Sequence, residues 1–335
     1  MRGVGPASSV QRVGVLVMAH GTPESPEGIE AFYTRIRRGS PPSAEQLDDL
    51  RRRYEAIGGT SPLAQRTRAQ VDGLRRELEL GSPGRYLVAF GAKHTEPSIE
   101  TAAAGLARAG VSAVIGLVLT PHPSPAGSGE YLRRAAGTLA EGQPPTRFVG
   151  IDHWYGSPLF VEVVAEGVGT AVAAAADRTP GRTVVVFTAH SVPQRLVAGG
   201  DRYPEHVDRS AALVARAAGV ADWRVAFQSA GRTPDPWVGP DLLDTLRQLA
   251  SEGVRSVVVC PVGFVADHLE VLYDLDIEAR AVAEAAGLAF TRTPSLNDDP
   301  RFLRALADAV RDSDRDSDGP DLGGRERPAH AVEGR

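Results

Sequence analysis

Short apolar runs recur along the chain, and each is followed by a polar loop and then by a stretch with helical periodicity. This order is typical of buried parallel strands joined by crossover helices. The strands predicted in the first half are Val13 to His20, Arg85 to His94, Ala113 to His122 and Arg147 to Trp154. Those predicted in the second half are Thr183 to Ser191, Asp222 to Ala230, Ser256 to Phe264 and Leu288 to Ser295. Four strands in each half predict an α/β protein of two similar halves.

We predict helices in the segments between these strands and little regular structure at the two ends of the chain. Apolar residues return every three or four positions in Gln65 to Leu80, Pro97 to Ala109 and Val161 to Ala176, which predicts amphipathic helices there. The predicted domain limits are 1–12 for a flexible N-terminus, 13–155 and 156–312 for the two halves, and 313–335 for a tail. That tail is charged and rich in glycine, so we expect it to be disordered.

Composition limits the classes of function. Lys and Arg number 37 against 42 Asp and Glu, a formal net charge of −5, which makes nucleic acid an improbable partner. A single cysteine, Cys260, excludes an intramolecular disulfide framework and an iron–sulfur cluster held by this chain alone, and it indicates a reducing cytosol. The first twelve residues lack the apolar core of a secretory signal, and we expect no run of about 18 apolar residues that spans a bilayer.

Five of the eight histidines fall at or near the carboxyl end of a predicted strand, where ligands bind to open parallel sheets. They are His20, His94, His122, His153 and His190. Each is either a functional group or a structural histidine that bonds to a backbone carbonyl. His190 stands out because Pro193 fixes the turn that follows it, so the imidazole is a candidate base or metal ligand.

The segment from Pro261 to Glu278 begins at a strand end and continues into a predicted helix. At 100° per residue, its acidic side chains fall in one sector: Asp267, Glu270, Asp274 and Glu278. Such an acidic face is either merely solvated or a path along which a divalent cation moves inward.

A third cluster is basic. It combines Arg37 and Arg38 with Arg51, Arg52, Arg53 and Tyr54 and with the turn from Gly58 to Pro62. Arginines, hydroxyls and a glycine-rich backbone suit carboxylate or phosphate groups, although an arginine-rich surface helix is the alternative. The sequence has no dinucleotide fingerprint, Walker loop or nucleophile elbow, so no nucleotide or serine-hydrolase motif supports another chemistry.

Eight segments together resemble the ferrochelatases, and most closely those that act on coproporphyrin in bacterial haem synthesis. They are VLVMAHGTPES, FYTRIRRG, RRRYEAIGGTSPLAQ, GAKHTEP, FTAHSVPQ, GDRYPEHV, FQSAGRTPDPWVGP and PVGFVADHLEVLYDLDIE. The resemblance covers about Val13 to Val310 and implies two Rossmann-like halves of the chelatase type, each with a four-stranded parallel sheet flanked by helices. It implies a monomeric, cytoplasmic lyase that inserts Fe²⁺ into coproporphyrin III to give Fe-coproporphyrin III.

The resemblance also assigns roles to individual residues. His190 and Glu270 match the catalytic pair that binds the incoming Fe²⁺. Asp274 and Glu278, with Arg53, match a site for a second, hydrated divalent cation such as Mg²⁺. Residues that match porphyrin contacts are Arg37, Arg53, Tyr54, Ser61 and Tyr131.

Two departures from the family pattern add expectations. His20 stands where similar members have a tyrosine that ligates the porphyrin iron, so axial ligation by His20 is expected. Some relatives carry a [2Fe–2S] cluster, but with Cys260 alone we expect neither a cluster nor another prosthetic group, and Fe²⁺ is a substrate. An imidazole with an unperturbed pKa near 6.5 suits proton abstraction, which assigns the base to His190 and iron ligation to Glu270.

Alternative functions remain open at this point. They are insertion of iron into protoporphyrin IX to give haem b, a cobalt or nickel chelatase that acts on an earlier tetrapyrrole, and a porphyrin or haem carrier without catalysis. The expected partners are the porphyrin and Fe²⁺, together with transient contacts with neighbouring enzymes of haem synthesis.

Overall fold

The eight apolar runs form eight strands in a computed structural model that describes residues 12–231 and 235–317. The strands are β1 Val13–Ala19, β2 Tyr86–Ala92, β3 Ala113–Val118, β4 Arg147–Ile151, β5 Thr183–His190, β6 Trp223–Gln228, β7 Ser256–Cys260 and β8 Ala289–Arg292. All eight predicted strands are confirmed, and each ends before its predicted carboxyl boundary. At β7 the reason is Pro261, which has no N–H to continue the ladder.

Twelve α-helices connect these strands within the described residues. They are α1 Ile29–Ile36, α2 Ala44–Ala56, α3 Leu63–Gly81, α4 Ile99–Arg108, α5 Ser128–Ala140, α6 Pro158–Arg178, α7 Gln194–Ala198, α8 Tyr203–Ala217, α9 Leu242–Ser251, α10 Leu269–Leu272, α11 Arg280–Ala285 and α12 Pro300–Ser317. A 3₁₀ turn at Pro26–Gly28 precedes α1, and a π-helical segment at Asp274–Ala279 separates α10 from α11. The three amphipathic stretches in the sequence correspond to α3, α4 and α6, so these helix predictions are confirmed.

The two halves repeat one sheet topology. The first sheet has the order β2-β1-β3-β4 and the second β6-β5-β7-β8, and every pairing is parallel. The prediction of two similar halves with four-stranded parallel sheets is confirmed. In each sheet the second strand lies on one side of the first strand (β1 or β5), and the third and fourth strands lie on the other side. The strand order therefore changes direction beside β1 and beside β5. Ligand sites in open α/β sheets form at such points, beyond the carboxyl ends of the strands.

Helices cover both faces of each sheet, so the central strands are buried on both sides. Along β1, Val15 and Val17 face one apolar cluster, while Leu16 and Met18 face another, in the period of two expected for a strand. All four side chains are fully buried. This burial explains why the strands read as continuous apolar runs instead of alternating ones.

The last helix, α12, returns to the first half. It packs against α3 and α6, and its Phe302 and Leu306 are fully buried in the apolar cluster that contains Val15. Its final turns correct the prediction of a tail that begins at residue 313, because α12 continues to Ser317. The rest of the predicted tail, 318–335, and residues 1–11 of the predicted flexible N-terminus lie outside the described residues, and the boundary at 155 stays a prediction.

A buried ion pair explains why the helix continues. Asp314 is 5% exposed and accepts hydrogen bonds from Nε of Arg85 at 2.7 Å and from Nη2 of the same guanidinium at 3.0 Å. The hydroxyl of Tyr86 also donates to this carboxylate, at 2.8 Å. Asp314 lies in a segment that is polar by composition, but it pairs with Arg85, which is more than two hundred positions away in the sequence. Composition alone does not reveal such a partner.

The expectation that no stretch is apolar enough to cross a bilayer is wrong on composition. In the described part of the chain, α6 passes by length and hydropathy, with a mean hydropathy of 1.7. Its contacts are those of a core helix: Phe160 is buried against the first half and Val168 against the second. Because α6 joins two cores, it is apolar around most of its circumference.

Candidate active site

His190 is the last residue of β5, the strand beside which the strand order of the second sheet changes direction. Its Nδ1–H donates to the carbonyl oxygen of Ser191 at 2.5 Å, which fixes the ring and leaves Nε2 for other partners. Nε2 lies 3.6 Å from Oε1 of Glu270, and the two side chains are 39% and 37% exposed. The predicted pair is therefore adjacent, and both members remain reachable from solvent.

A second histidine, which the sequence reasoning missed, flanks the same carboxylate. Nε2 of His268 lies 3.7 Å from Oε2 of Glu270, and its Nδ1–H donates to the carbonyl of Ala266 at 2.9 Å. His268 has extended backbone geometry (φ −157°, ψ −178°) and directly precedes α10. Helical spacing was applied only to the acidic side chains of this segment, so His268, which lies just before the helix begins at Leu269, was not considered.

The charges of this pair stabilise each other. Desolvation lowers the pKa of His190, but the negative charge of Glu270, the Ser191 carbonyl and Asp274 outweigh it and raise that pKa to about 9. Desolvation raises the pKa of the Glu270 carboxyl, yet the adjacent imidazolium of His190 outweighs this effect and holds the pKa of Glu270 well below its ordinary value. The expectation of an unperturbed imidazole near 6.5 is therefore wrong, because the chain places an anion beside it. At neutral pH the pair is charged.

The predicted acidic face does not continue as one regular helix. The segment Asp274–Ala279 is π-helical, and N–H of Glu278 donates to the carbonyl of Tyr273, five residues earlier, at 2.9 Å. Asp267 lies before α10 and faces elsewhere: Arg292 Nη2 is 3.5 Å away, and Nδ2 of Asn297 donates to it at 2.9 Å. The prediction that Asp267 shares the acidic face is wrong for this reason.

Asp274 lies behind Glu270 and is 5% exposed. Ser229 Oγ donates to its Oδ2 at 2.5 Å, and Arg53 Nη1 to its Oδ1 at 3.3 Å. Burial and the charge of Glu270 raise the pKa of Asp274 to about 6, even though Ser229 and Arg53 oppose the shift. Ser229 was not predicted; its positive φ of 59° marks a strained loop position beyond β6 that the sequence does not signal.

Two of the residues assigned to a second, hydrated divalent cation, Arg53 and Asp274, pair with each other. Arg53 bridges Asp274 and Asp49, whose Oδ2 lies 3.2 Å from Nε, and it stacks over the ring of Tyr273 at 4.9 Å. Both oxygens of Asp274 are thus engaged. Across residues 12–231 and 235–317, no group of three or more His, Cys, Asp or Glu side chains is arranged to hold a metal ion. The arrangement does not fit a directly coordinated cation, and Mg²⁺ with Glu278 stays a prediction.

Side chains of the first half face the pair from across the junction of the halves. His20 follows β1, and its Nδ1 lies 3.2 Å from the carbonyl of Gly21. Desolvation lowers the pKa of His20, while the charge of Glu270 raises it, so the two groups are within electrostatic reach. Tyr54 is buried beside Leu269 of α10, and burial together with the same carboxylate raises the pKa of its hydroxyl.

Three predicted porphyrin contacts have other partners within the protein. Nε of Arg37 donates to the carbonyl of Ser40 at 3.3 Å. Ser61 is buried and its Oγ accepts from the N–H of Leu63 as α3 begins. Tyr131 is 5% exposed in the first core, with Lys93 Nζ 5.1 Å from its ring centre. The structure therefore brings together His190, Glu270, Asp274, Arg53, Tyr54 and His20, whereas the contacts found for Arg37, Ser61 and Tyr131 within the described residues are with other groups.

The sequence contains a signal for the equivalence of the two histidines that was not used. Ala-His-x-x-Pro occurs at 19–23 and again at 189–193. Both copies follow the first strand of their sheet, so His20 and His190 occupy the same position in the repeated topology.

Comparison with known proteins identifies the family. The family model described as ferrochelatase matches residues 12–314. The chain belongs to the ferrochelatase family. Coproporphyrin III ferrochelatase from Geobacillus kaustophilus is 44% identical over 299 residues, covering 89% of this chain and 94% of that protein. Coproporphyrin III ferrochelatase 1 from Bacillus anthracis is 42% identical over 302 residues, covering 90% of this chain and 97% of that protein.

Solved structures agree with this ferrochelatase in fold. SirB from Bacillus subtilis with Fe³⁺ has a TM-score of 0.57 at 15% identity, covering 92% of this chain and 98% of that one. The sirohydrochlorin chelatase SirB from Bacillus subtilis subspecies spizizenii in complex with cobalt has a TM-score of 0.56 at 14% identity, with the same coverage. The ferrochelatase thus shares the two-half architecture of another chelatase.

Proposed function

We propose that the protein is a lyase that inserts Fe²⁺ into coproporphyrin III and gives Fe-coproporphyrin III for haem synthesis. The observation that best supports this proposal is the charged pair of His190 and Glu270, whose Nε2 and Oε1 atoms lie 3.6 Å apart. The pair lies beyond the carboxyl ends of the strands of the second sheet. Relatives 41–44% identical over about nine-tenths of the chain are named for this reaction, which supports the same substrate here.

The chemistry requires that one Fe²⁺ replaces two pyrrole protons, so two protons leave for each iron inserted. In the resting pair, Glu270 supplies the negative charge that attracts the cation, and the imidazolium of His190 holds a proton on Nε2. As Fe²⁺ approaches Glu270, its charge drives that proton to water, which reaches His190 because its side chain is 39% exposed. The neutral imidazole then accepts the two pyrrole protons one after the other and passes each of them to water. His190 therefore acts as the base, and Glu270 as the carboxylate ligand that receives and releases the metal.

Recognition of the porphyrin falls to the arginine cluster. Arg53 already neutralises Asp274 and Asp49, whereas Arg37 bonds to a carbonyl and stacks beside Tyr33 at 5.7 Å. We assign propionate binding first to Arg37, with Tyr54, Ser61 and Tyr131 as further contacts. Coproporphyrin III has more propionates than protoporphyrin IX and gains more from such partners, so protoporphyrin IX is the second candidate substrate.

We further propose that the protein works in the cytosol as a monomer without a [2Fe–2S] cluster or other prosthetic group. Cys260 is buried in β7, and burial raises the pKa of its thiol to about 12, so it is a poor thiolate ligand. Size-exclusion chromatography with light scattering tests the monomer, and the iron and sulfide content of purified protein tests the absence of a cluster.

One experiment separates the candidate functions. Purified protein is mixed anaerobically with Fe²⁺ and either coproporphyrin III or protoporphyrin IX, and loss of free-base fluorescence is followed. Faster metallation of coproporphyrin III supports the proposal. Preference for protoporphyrin IX supports the second candidate substrate, binding without metallation indicates a carrier, and activity with Co²⁺ or Ni²⁺ on an earlier tetrapyrrole, without Fe²⁺ insertion, indicates another chelatase.

A further inference from the structure

A cavity of about 370 Å³ lies at the outer edge of the second half, away from His190 and Glu270. It is open to solvent on one side and is bounded by the end of α6, the start of α11 and the edge strand β8. Its lining residues are Ala175, Arg178, Thr179, Arg280, Ala289, Phe290, Thr291 and Arg292. Three guanidinium groups thus line one small cavity in a protein whose formal net charge is −5.

The three arginines differ in how their charge is balanced. Arg292 forms a bidentate pair with Asp276, from Nε to Oδ1 at 2.7 Å and from Nη2 to Oδ2 at 2.8 Å. Within residues 12–231 and 235–317, neither Arg178 nor Arg280 has a carboxylate oxygen within the 4.0 Å that defines an ion pair. The cavity therefore retains two positive charges without a protein counter-charge.

Both of these side chains are held in place by uncharged partners. Nη2 of Arg178 donates to Thr291 Oγ1 at 2.8 Å. Arg280 stacks over the ring of Phe290 at 4.9 Å, and its Nε donates to the carbonyl of Asp276 at 3.1 Å. Each of the two guanidinium groups uses one of its five N–H donors in these hydrogen bonds, so most donors remain for a ligand. Fixed guanidinium groups bind anions at a lower entropic cost than free ones.

We infer that this cavity binds a small soluble polyanion, a molecule with at least two carboxylate or phosphate groups that bridge Arg178 and Arg280. The volume lies near the lower end of small-molecule sites, which are about 300 to 1,000 Å³. Fork-shaped guanidinium groups pair with the oxygens of carboxylates and phosphates in a bidentate manner. The site shares no residue with the metallation site, so it is independent of the proposed function.

Isothermal titration calorimetry with the full chain at low ionic strength tests the site. Inorganic pyrophosphate and citrate serve as separate probes and distinguish phosphate from carboxylate chemistry. At least one probe is expected to bind with 1:1 stoichiometry. Arg178→Gln and Arg280→Gln are each expected to weaken binding at least tenfold, while Arg178→Lys, which keeps the charge but loses the fork, weakens it less.

The matched control is Arg108→Gln, which removes an exposed guanidinium at the end of α4 in the other half and is expected to leave the affinity unchanged. Unchanged melting temperatures show that the variants fold. The inference is overturned if neither probe binds, if Arg178→Gln binds as tightly as the wild type, or if Arg37→Gln abolishes binding instead, which would place the anion among the substrate-binding arginines. Sedimentation with phosphatidylglycerol vesicles that depends on Arg178, without binding of either free anion, would also overturn it in favour of a lipid headgroup.

Discussion

Nε2 of His190 lies 3.6 Å from Oε1 of Glu270, although His190 ends strand β5 and Glu270 lies in helix α10, which follows β7. The hydrogen bond from Nδ1 to the Ser191 carbonyl fixes which nitrogen faces the carboxylate. The base and the metal ligand are therefore one charged unit, so a change in either alters the proton affinity of the other.

His190→Ala is expected to reduce iron insertion to below a tenth of the wild-type rate at saturating Fe²⁺ while leaving porphyrin affinity nearly intact. The variant loses the proton acceptor but keeps the arginines. Stopped-flow metallation and fluorescence titration measure the two quantities, and His153→Ala, at a histidine paired with Asp152, serves as the control. A variant with more than a tenth of the wild-type rate would show that another group is the base.

Glu270→Gln is expected to move the titration of His190 to lower pH. With Glu270 charged, folding raises the pKa of His190 from 6.5 to about 9. The imidazolium therefore stabilises the fold fully below pH 6.5, and this stabilisation is lost as the pH rises through about 9. The ring-proton titration of His190 by NMR in metal-free protein checks the shift. Glu205→Gln, at an exposed glutamate beside Arg202, is the control, and an equal midpoint in Glu270→Gln and wild type contradicts the coupling.

Arg37→Gln is expected to reduce the preference for coproporphyrin III over protoporphyrin IX. A shielded bond from a guanidinium to a propionate contributes about 1.5 to 3 kcal/mol, which corresponds to roughly tenfold or more in specificity. The ratio of kcat/KM for the two porphyrins is the measurement. Arg52→Gln removes an arginine that is 68% exposed and paired with Asp49, and it should keep the wild-type ratio. If Arg37→Gln keeps it as well, propionate recognition lies elsewhere.

Asp314→Asn is expected to destabilise the fold by roughly 1 to 3 kcal/mol, because it weakens a buried bidentate pair with Arg85 and a bond from Tyr86. Chemical denaturation of the two proteins measures the difference. The control is Asp312→Asn, on the same helix. Asp312 is 56% exposed and paired with Arg315, so this substitution should change the free energy of unfolding little. Equal stability of the two variants would show that the end of α12 is not anchored through Asp314.

His20→Ala is expected to change the visible and electron paramagnetic resonance spectra of the ferric coproporphyrin complex. The bond from Nδ1 to the Gly21 carbonyl leaves Nε2 of His20 for the iron, and Gly21 has a φ of +86° that favours glycine. His206→Ala, at a histidine bonded to Tyr155, serves as the control. Spectra identical to those of the wild type would show that His20 never reaches the metal.

The sequence predicts the central strands well because β1, β3, β5 and β7 are continuous apolar runs buried on both faces. It predicts His190 and Glu270 as a pair only through resemblance, since spacing places them eighty positions apart and says nothing about contact. The regular helical stripe fails at the π-helical segment, where the wider turn depends on packing. His268 was missed because the helical spacing was read only for the acidic side chains, and His268 lies in the extended residue before α10. The charge state of His190 could not be read from its residue type, because the carboxylate of Glu270, which the fold brings in on α10, raises its pKa.

The repeated strand order gives the two faces of a bound flat ring unequal electrostatics. Each sheet presents a histidine from the same Ala-His-x-x-Pro position, but Glu270 lies beside the copy in the second half, whereas burial lowers the pKa of His20 in the first half. One imidazole is therefore cationic and paired, and the other is neutral. The carboxylate that attracts a divalent cation lies on the His190 side, so we expect the metal to enter the macrocycle from that face, with the neutral His20 as the predicted axial ligand on the other.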